Sequence, residues 1–152
     1  MNPADAEKQL KGFIAKFEPR HQALIRGGRK ALRKRFPGAF ELVYDNYNFF
    51  VIAYSPNERP SDAIVSMAAA ANGLRLFFLE GKKLPDPKKI LLGSGNQVRS
   101  IRLESVDVLA RPEVEALIAV AIRRSDARFK PGGKLVIRSV SAKQRPRRRA
   151  AD

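Results

Sequence analysis

The sequence contains no cysteine and only one histidine, and these absences remove several classes of site. Without cysteine there is no disulfide, no thiolate nucleophile and no cysteine-ligated zinc. The lone imidazole of His21 offers little for metal binding or base catalysis and is interpreted as a structural, hydrogen-bonded side chain. We therefore expect no catalytic residue, no metal site and no cofactor, and the protein is interpreted as non-enzymatic.

Long apolar runs are also lacking. Charged or polar residues interrupt each run well before the ~20 residues that a membrane-spanning helix requires. The first residues, Met-Asn-Pro-Ala-Asp, are polar and have no signal-peptide pattern. The chain has 152 residues, of which 44% are hydrophobic, so one domain can bury a sizeable core. These features predict a cytoplasmic protein without a membrane span.

Acidic residues are scarce, and the basic residues are unevenly distributed. The chain has 30 Lys and Arg against 15 Asp and Glu, which gives a net charge of +15. Residues 20–35 include seven basic residues and no acidic one, and residues 123–152 include eleven basic and two acidic ones, whereas residues 36–122 are close to neutral. This distribution favours a polyanionic partner such as nucleic acid, and more weakly an acidic membrane surface.

Apolar spacing and proline positions predict three helices. The first covers 4–16, the second begins at Pro19 and ends before Pro37-Gly38, and the third begins at Pro112. The Gly27-Gly28 pair predicts either close packing or a kink in the second helix. Its basic residues lie opposite its apolar stripe, and with the C-terminal end they form the predicted polyanion-binding surface. The candidates are Arg26, Arg29, Lys30, Arg33, Lys34, Lys143, Arg145, Arg147, Arg148 and Arg149.

Extended segments occupy the middle of the chain. Strands are predicted at 42–44, 49–54, 64–71, 74–79, 98–104 and 134–140. Asn72-Gly73 predicts a hairpin with a type I′ turn, and residues 88–92 predict one helical turn. The resulting prediction is an α+β fold in a single compact domain over 1–140, with an antiparallel sheet and N-terminal and C-terminal helices packed on it. Residues 141–152 are predicted to be a disordered basic tail.

This order of elements resembles the YdhG-like family, a bacterial domain of unknown function, over about residues 20–125. The best matches are Pro37-Gly38-Ala39, the Leu-Arg-Leu-Phe-Phe-Leu run at 74–79, and the glycine turn that leads into 98–103. Asn96 departs from the family, as does the segment at 45–47. The resemblance implies a compact α+β fold and, for some members, a frataxin-like role with iron. Hard cations prefer clustered carboxylates, which this basic chain lacks, so iron handling is the third hypothesis.

Two local patterns leave alternatives open. The glycine turn before the strand at 98–104 either binds a phosphate or carboxylate, which is the second functional hypothesis, or simply leads the chain into a strand. Its candidate anion-binding residues are Gly93, Ser94, Gly95, Asn96, Arg99 and Arg102. The strand aromatics belong either to the core or to a stacking platform for nucleic-acid bases. These aromatics are Tyr44, Tyr47, Phe49, Phe50 and Tyr54.

Overall fold

The computed structural model describes residues 2–125 and 129–150. The helices in these ranges are α1 (Pro3–Ala15), α2 (Pro19–Arg35) and α3 (Pro112–Arg124), and the strands are β1 (Phe40–Asp45), β2 (Phe50–Ser55), β3 (Val65–Ala70), β4 (Gly73–Phe78), β5 (Arg99–Arg102) and β6 (Leu135–Val140). Short 3-10 helices lie at Pro60–Asp62, Gly81–Lys83 and Val106–Ala110. The proline-based prediction of α2 and α3 is confirmed, because proline suits the first turn of a helix.

The strands form one sheet in the order β5-β4-β3-β2-β1-β6. Consecutive strands from β1 to β5 pair antiparallel, whereas β6 pairs parallel to β1 and has a register shift between Val43 and Tyr44. The chain passes through α3 between β5, at one edge, and β6, at the other. The predicted α+β class with helices packed on the sheet is therefore confirmed, and the sheet is antiparallel except at β6.

The main core lies between the helices and one side of the sheet, here called the helix face. Phe50, Ile52 and Tyr54 project from β2 into this core, which includes apolar residues of all three helices, among them Phe13, Ile25, Leu32, Leu117 and Ile118. Full burial of a large apolar side chain contributes about 1.5–3 kcal/mol. The other side, the open face, has a smaller cluster around Leu42 and Ala53 to which the described helices contribute no residue.

The glycine pair in α2 allows close packing. A Cβ atom added to Gly28 would lie 2.6 Å from Met67 Sδ on β3, and one added to Gly27 would lie 2.6 Å from a Val106 methyl carbon. The helix continues without interruption from Pro19 to Arg35. Of the two predicted roles, the structure therefore shows close packing.

Two local predictions need correction. The β3-β4 hairpin exists, but Ala70 pairs with Gly73, so its loop is Ala71-Asn72. Only Gly73 has a positive φ there, which excludes a type I′ turn. No helical turn forms at 88–92, because the Asp86 carboxylate accepts hydrogen bonds from the backbone N–H groups of residues 90 and 91 and so favours a turn.

The prediction that residues 141–152 form a disordered tail is wrong at Arg147. This residue is 4% exposed and donates hydrogen bonds to Asp45 Oδ1 at 2.9 Å and to the Asn46 carbonyl at 2.6 Å. The described part of the segment, residues 141–150, follows the loop between β1 and β2, and Arg145 N–H donates to the Tyr47 carbonyl. A buried carboxylate requires a cationic partner, and Arg147, together with Lys16, supplies it for Asp45.

Candidate nucleic-acid interface

Arg29 belongs to the predicted basic surface of α2, but acidic residues neutralise it. Its guanidinium donates to both carboxylate oxygens of Glu7, at 2.6 and 3.0 Å, and to both of Glu41, at 2.9 and 3.0 Å. Tyr54 also donates its hydroxyl to Glu41, and burial together with this carboxylate raises the pKa of Tyr54. The hydrogen bonds from Arg29 lower the pKa of Glu7. Arg29 therefore joins α1, α2 and β1 and is not available to a ligand.

The remaining basic residues of α2 stay accessible. Arg26, Lys30 and Arg33 line a groove of about 390 Å³ between α1 and α2. Arg33 lies 3.7 Å from Glu41, but 60% of its side chain is exposed. Lys30 and Lys34 are exposed and have no ion pair with any described residue. Four of the five predicted α2 candidates therefore form a real basic surface.

The C-terminal arginines are fixed beside the start of α2. Arg148 donates to the carbonyls of Ala15 and Lys16 at the end of α1, where a cation complements the exposed carbonyls. Arg149 lies 3.6 Å from Glu18. Lys143 is exposed. These contacts place the C-terminal charges close to the hairpin end of the sheet.

The structure also forms a basic cleft that the sequence did not predict. A cavity of about 660 Å³ lies at the β3-β4 hairpin and is called the hairpin cleft here. The arginine and phenylalanine residues that line it are Arg20, Phe49, Arg75, Phe77, Arg102 and Arg149. A second cavity of about 590 Å³ shares Phe49 and Arg149 with it and is bordered by Arg145 and Arg148. The two cavities connect residues from α2, the sheet and the C-terminal segment.

Positive charge in the hairpin cleft is only partly compensated: Arg149 lies 3.6 Å from the Glu18 carboxylate, whereas the other three arginines have no ion pair with a described residue. Glu104 is the only acidic residue among the described residues that line it. Arg75 and Arg102 lie directly opposite each other on β4 and β5, an arrangement of like charges that destabilises a sheet. Arg75 is within 3.4 Å of Ser100 Oγ, and for Arg20 and Arg102 the described residues supply no ion pair. A bound anion would remove this repulsion.

His21 is buried, as expected for a histidine on the apolar side of α2, and it also lines the cleft. It is 5% exposed, and its Nε2 is 3.6 Å from the Glu18 carboxylate. Its Nδ1 is buried and has no hydrogen-bond partner among the described residues. The residue is thus a packed part of α2, and the prediction that its side chain is hydrogen-bonded is wrong for the described residues.

The predicted anion site at the glycine turn is not brought together. Arg99 donates to the carbonyls of Gly95 and Val98, both at 2.8 Å, so its guanidinium is occupied by the turn itself. Side chains alternate along a strand, which places Arg99 and Arg102 on opposite faces of the sheet. Arg99 therefore bonds within the exposed turn, whereas Arg102 lines the hairpin cleft. The exposed residues of this turn are Gly93, Ser94, Gly95 and Asn96.

Arg20 and Arg75 are the members of the site that sequence reasoning missed. A signal for Arg75 was present, because Leu74-Arg75-Leu76 alternates as a half-buried strand and Arg102 occupies the equivalent polar position of β5. No local signal connects these residues to Arg20 or Arg149.

Among residues 2–125 and 129–150, no three His, Asp or Glu side chains are grouped as a metal site. The helices in the same ranges include none with the length and apolar character needed to cross a membrane.

Comparisons with protein-family models, with curated proteins and with solved structures gave no match.

Proposed function

We propose that the protein binds nucleic acid, or another polyanion, without sequence preference. The observation that carries this proposal is the convergence of four arginines in the hairpin cleft, where Glu104 is the only acidic residue among the described residues of the lining. Arg145 and Arg148 extend the positive surface along the neighbouring cavity. The accessible residues of α2, Arg26, Lys30, Arg33 and Lys34, supply a second basic surface, and the first three of them line the groove between α1 and α2.

Guanidinium groups suit this function because their planar N–H donors match phosphate oxygens and keep their charge at any physiological pH. Each phosphate that is neutralised releases counterions, so affinity falls as salt rises. Five such contacts would give a log–log slope of about −4 to −5. The sequence contains no recognised base-reading motif, which favours contacts with the backbone over sequence readout.

The test is a fluorescence anisotropy titration of a labelled 20-nucleotide strand over a series of salt concentrations. Arg102→Ala should weaken binding about threefold to tenfold and make the slope less steep by about 1. Arg59→Ala is the matched control, because Arg59 follows β2 at the opposite end of the sheet, its side chain is 77% exposed, and the variant loses the same charge. Absence of binding at low salt, or equal losses in the two variants, would contradict the proposal.

The other two hypotheses stay predictions. Binding of a small anion at the glycine turn has no convergent donor set to support it, since Arg99 bonds to carbonyl oxygens. Iron handling has no supporting carboxylate cluster among the described residues. Calorimetry with inorganic phosphate and with ferrous iron tests them directly.

A further inference from the structure

We propose that the hairpin cleft prefers single-stranded nucleic acid, with a base stacked on Phe49 and the adjoining phosphates bound by the cleft arginines. This inference rests on the proposed polyanion-binding function and adds the class of ligand.

The first observation is the exposure of two aromatic rings in the loop between β1 and β2. Tyr47 is 43% exposed and Phe49 is 45% exposed, whereas Phe50 and Tyr54 are buried in the main core. The Arg145 guanidinium lies 5.7 Å from the Tyr47 ring centroid. Phe49 lines both the hairpin cleft and the neighbouring cavity. An exposed ring therefore lies where the two basic cavities join.

The second observation is that small residues separate the Phe49 ring from the arginines of the cleft. Phe49 immediately precedes the core residue Phe50, so strand alternation places it on the open face, as it does Arg75. Between them lie the small residues Ala68, Ala70 and Gly73, which also line the cleft. Neighbouring strands are ~4.8 Å apart, so β2 and β4 are separated by about 10 Å. This leaves a shallow trough with room for a flat base beside Phe49.

An exposed aromatic ring beside basic residues should distinguish single-stranded from double-stranded nucleic acid. Arginines bind the phosphates of both forms. An exposed aromatic ring, in contrast, stacks on a base that is not already stacked and paired inside a double helix. Stacking tolerates any base, because each has a π face, so it adds affinity without sequence preference. If the Phe49 ring instead contacted an acidic protein partner, it would not make the affinity for single strands higher than the affinity for duplexes.

The experiment compares three labelled probes of equal phosphate number: a single strand, a blunt duplex and an abasic strand. Phe49→Ala should weaken binding of the single strand about tenfold, within the range measured for one stacked base. It should leave the duplex, the abasic strand and the salt slope unchanged. Phe49→Trp should restore binding of the single strand, because it restores an aromatic surface. The control is Val98→Ala, since Val98 is 44% exposed and lies outside the cleft.

Contrary outcomes separate the two proposals. Equal effects of Phe49→Ala on all three probes, or no effect on any, would overturn the preference for single strands while leaving polyanion binding intact. Failure of the unmodified protein to bind any probe at low salt would overturn the proposed function itself. Melting temperatures within a few degrees of the parent protein would show that the variants are folded.

Discussion

Basic residues have opposite surroundings in two regions of this molecule. In the first region, named here the β1 anchors, Arg29 and Arg147 bond to the buried carboxylates Glu41 and Asp45 of β1. In the second, the hairpin cleft, Arg75 and Arg102 lie opposite each other, and Glu104 is the one acidic residue in the described part of its lining. The arginines of both regions are part of the same excess of basic over acidic residues in the sequence. A count of charges therefore predicts that a basic surface exists, while the distant acidic partners decide which residues remain on it.

The largest expected effect is on the β1 anchors. Asp45 is fully buried, and so is the Arg147 side chain that bonds to it. Asp45→Ala would leave a buried guanidinium without its carboxylate, a change that destabilises proteins by about 3–5 kcal/mol. Urea unfolding monitored by circular dichroism measures the free energy of unfolding. The double variant Asp45→Ala with Arg147→Met should recover part of the loss, since it removes the unpaired charge.

A loss below about 1 kcal/mol for Asp45→Ala would mean that water or another group solvates Arg147, and the description of this region as a rigid anchor would be wrong. Nucleic-acid affinity of the folded variant should fall as well, because the Asp45–Arg147 contact fixes the C-terminal segment whose Arg145, Arg148 and Arg149 line the two basic cavities. An unchanged affinity would mean that these arginines contribute to binding without that contact.

The second-largest expected effect is a loss of fold stability at low pH, caused by protonation of Asp45 in the β1 anchors. Burial alone would raise the pKa of Asp45, but hydrogen bonds from Lys16, Gln144 and Arg147 outweigh it, so that pKa lies below its ordinary value. A lowered folded pKa means that this carboxylate stabilises the fold above its unfolded pKa of about 4. That stability is lost as pH falls through the folded pKa.

The test is the urea midpoint measured between pH 7 and pH 2.5. The decline below about pH 4 should be shallower in the Asp45→Asn variant, which has no carboxylate to titrate there. The two proteins differ only at Asp45, so the difference between their pH profiles reports this carboxylate of the β1 anchors. Identical pH profiles for the two proteins would exclude Asp45 as a source of the acid sensitivity.

The sequence predicted those parts of the fold that have local signals. Pro19 and Pro112 begin α2 and α3, and alternation identifies β4. The parallel pairing of β6 with β1 has no local signal, because it depends on contacts between segments about 95 residues apart. Asp45 and Arg147 are 102 residues apart, which is why Arg147 resembles a solvated tail residue in the sequence.

The candidate site was only partly predictable for the same reason. The C-terminal arginines and the α2 residues form runs of like charge, and such runs are visible in a sequence. The hairpin cleft combines Arg20, Arg75, Arg102 and Arg149 from four separate elements, so only the strand register and the course of the C-terminal segment bring them together. Knowing the register of β4 and β5 alone would have revealed the opposed Arg75 and Arg102.

The smallest expected effect concerns these opposed arginines. Like charges that face each other across an antiparallel pair destabilise the sheet by about 0.2–1 kcal/mol. A double-mutant cycle with Arg75→Gln and Arg102→Gln measures their interaction through urea unfolding, and each single variant should be as stable as the parent protein or slightly more so. The repulsion should shrink as salt rises and should vanish when a saturating single strand is bound, because phosphate neutralises both groups. A favourable coupling between the two arginines would mean that a protein group already compensates them, and the cleft would then resemble the β1 anchors, with its charges committed to the fold and unavailable to a ligand.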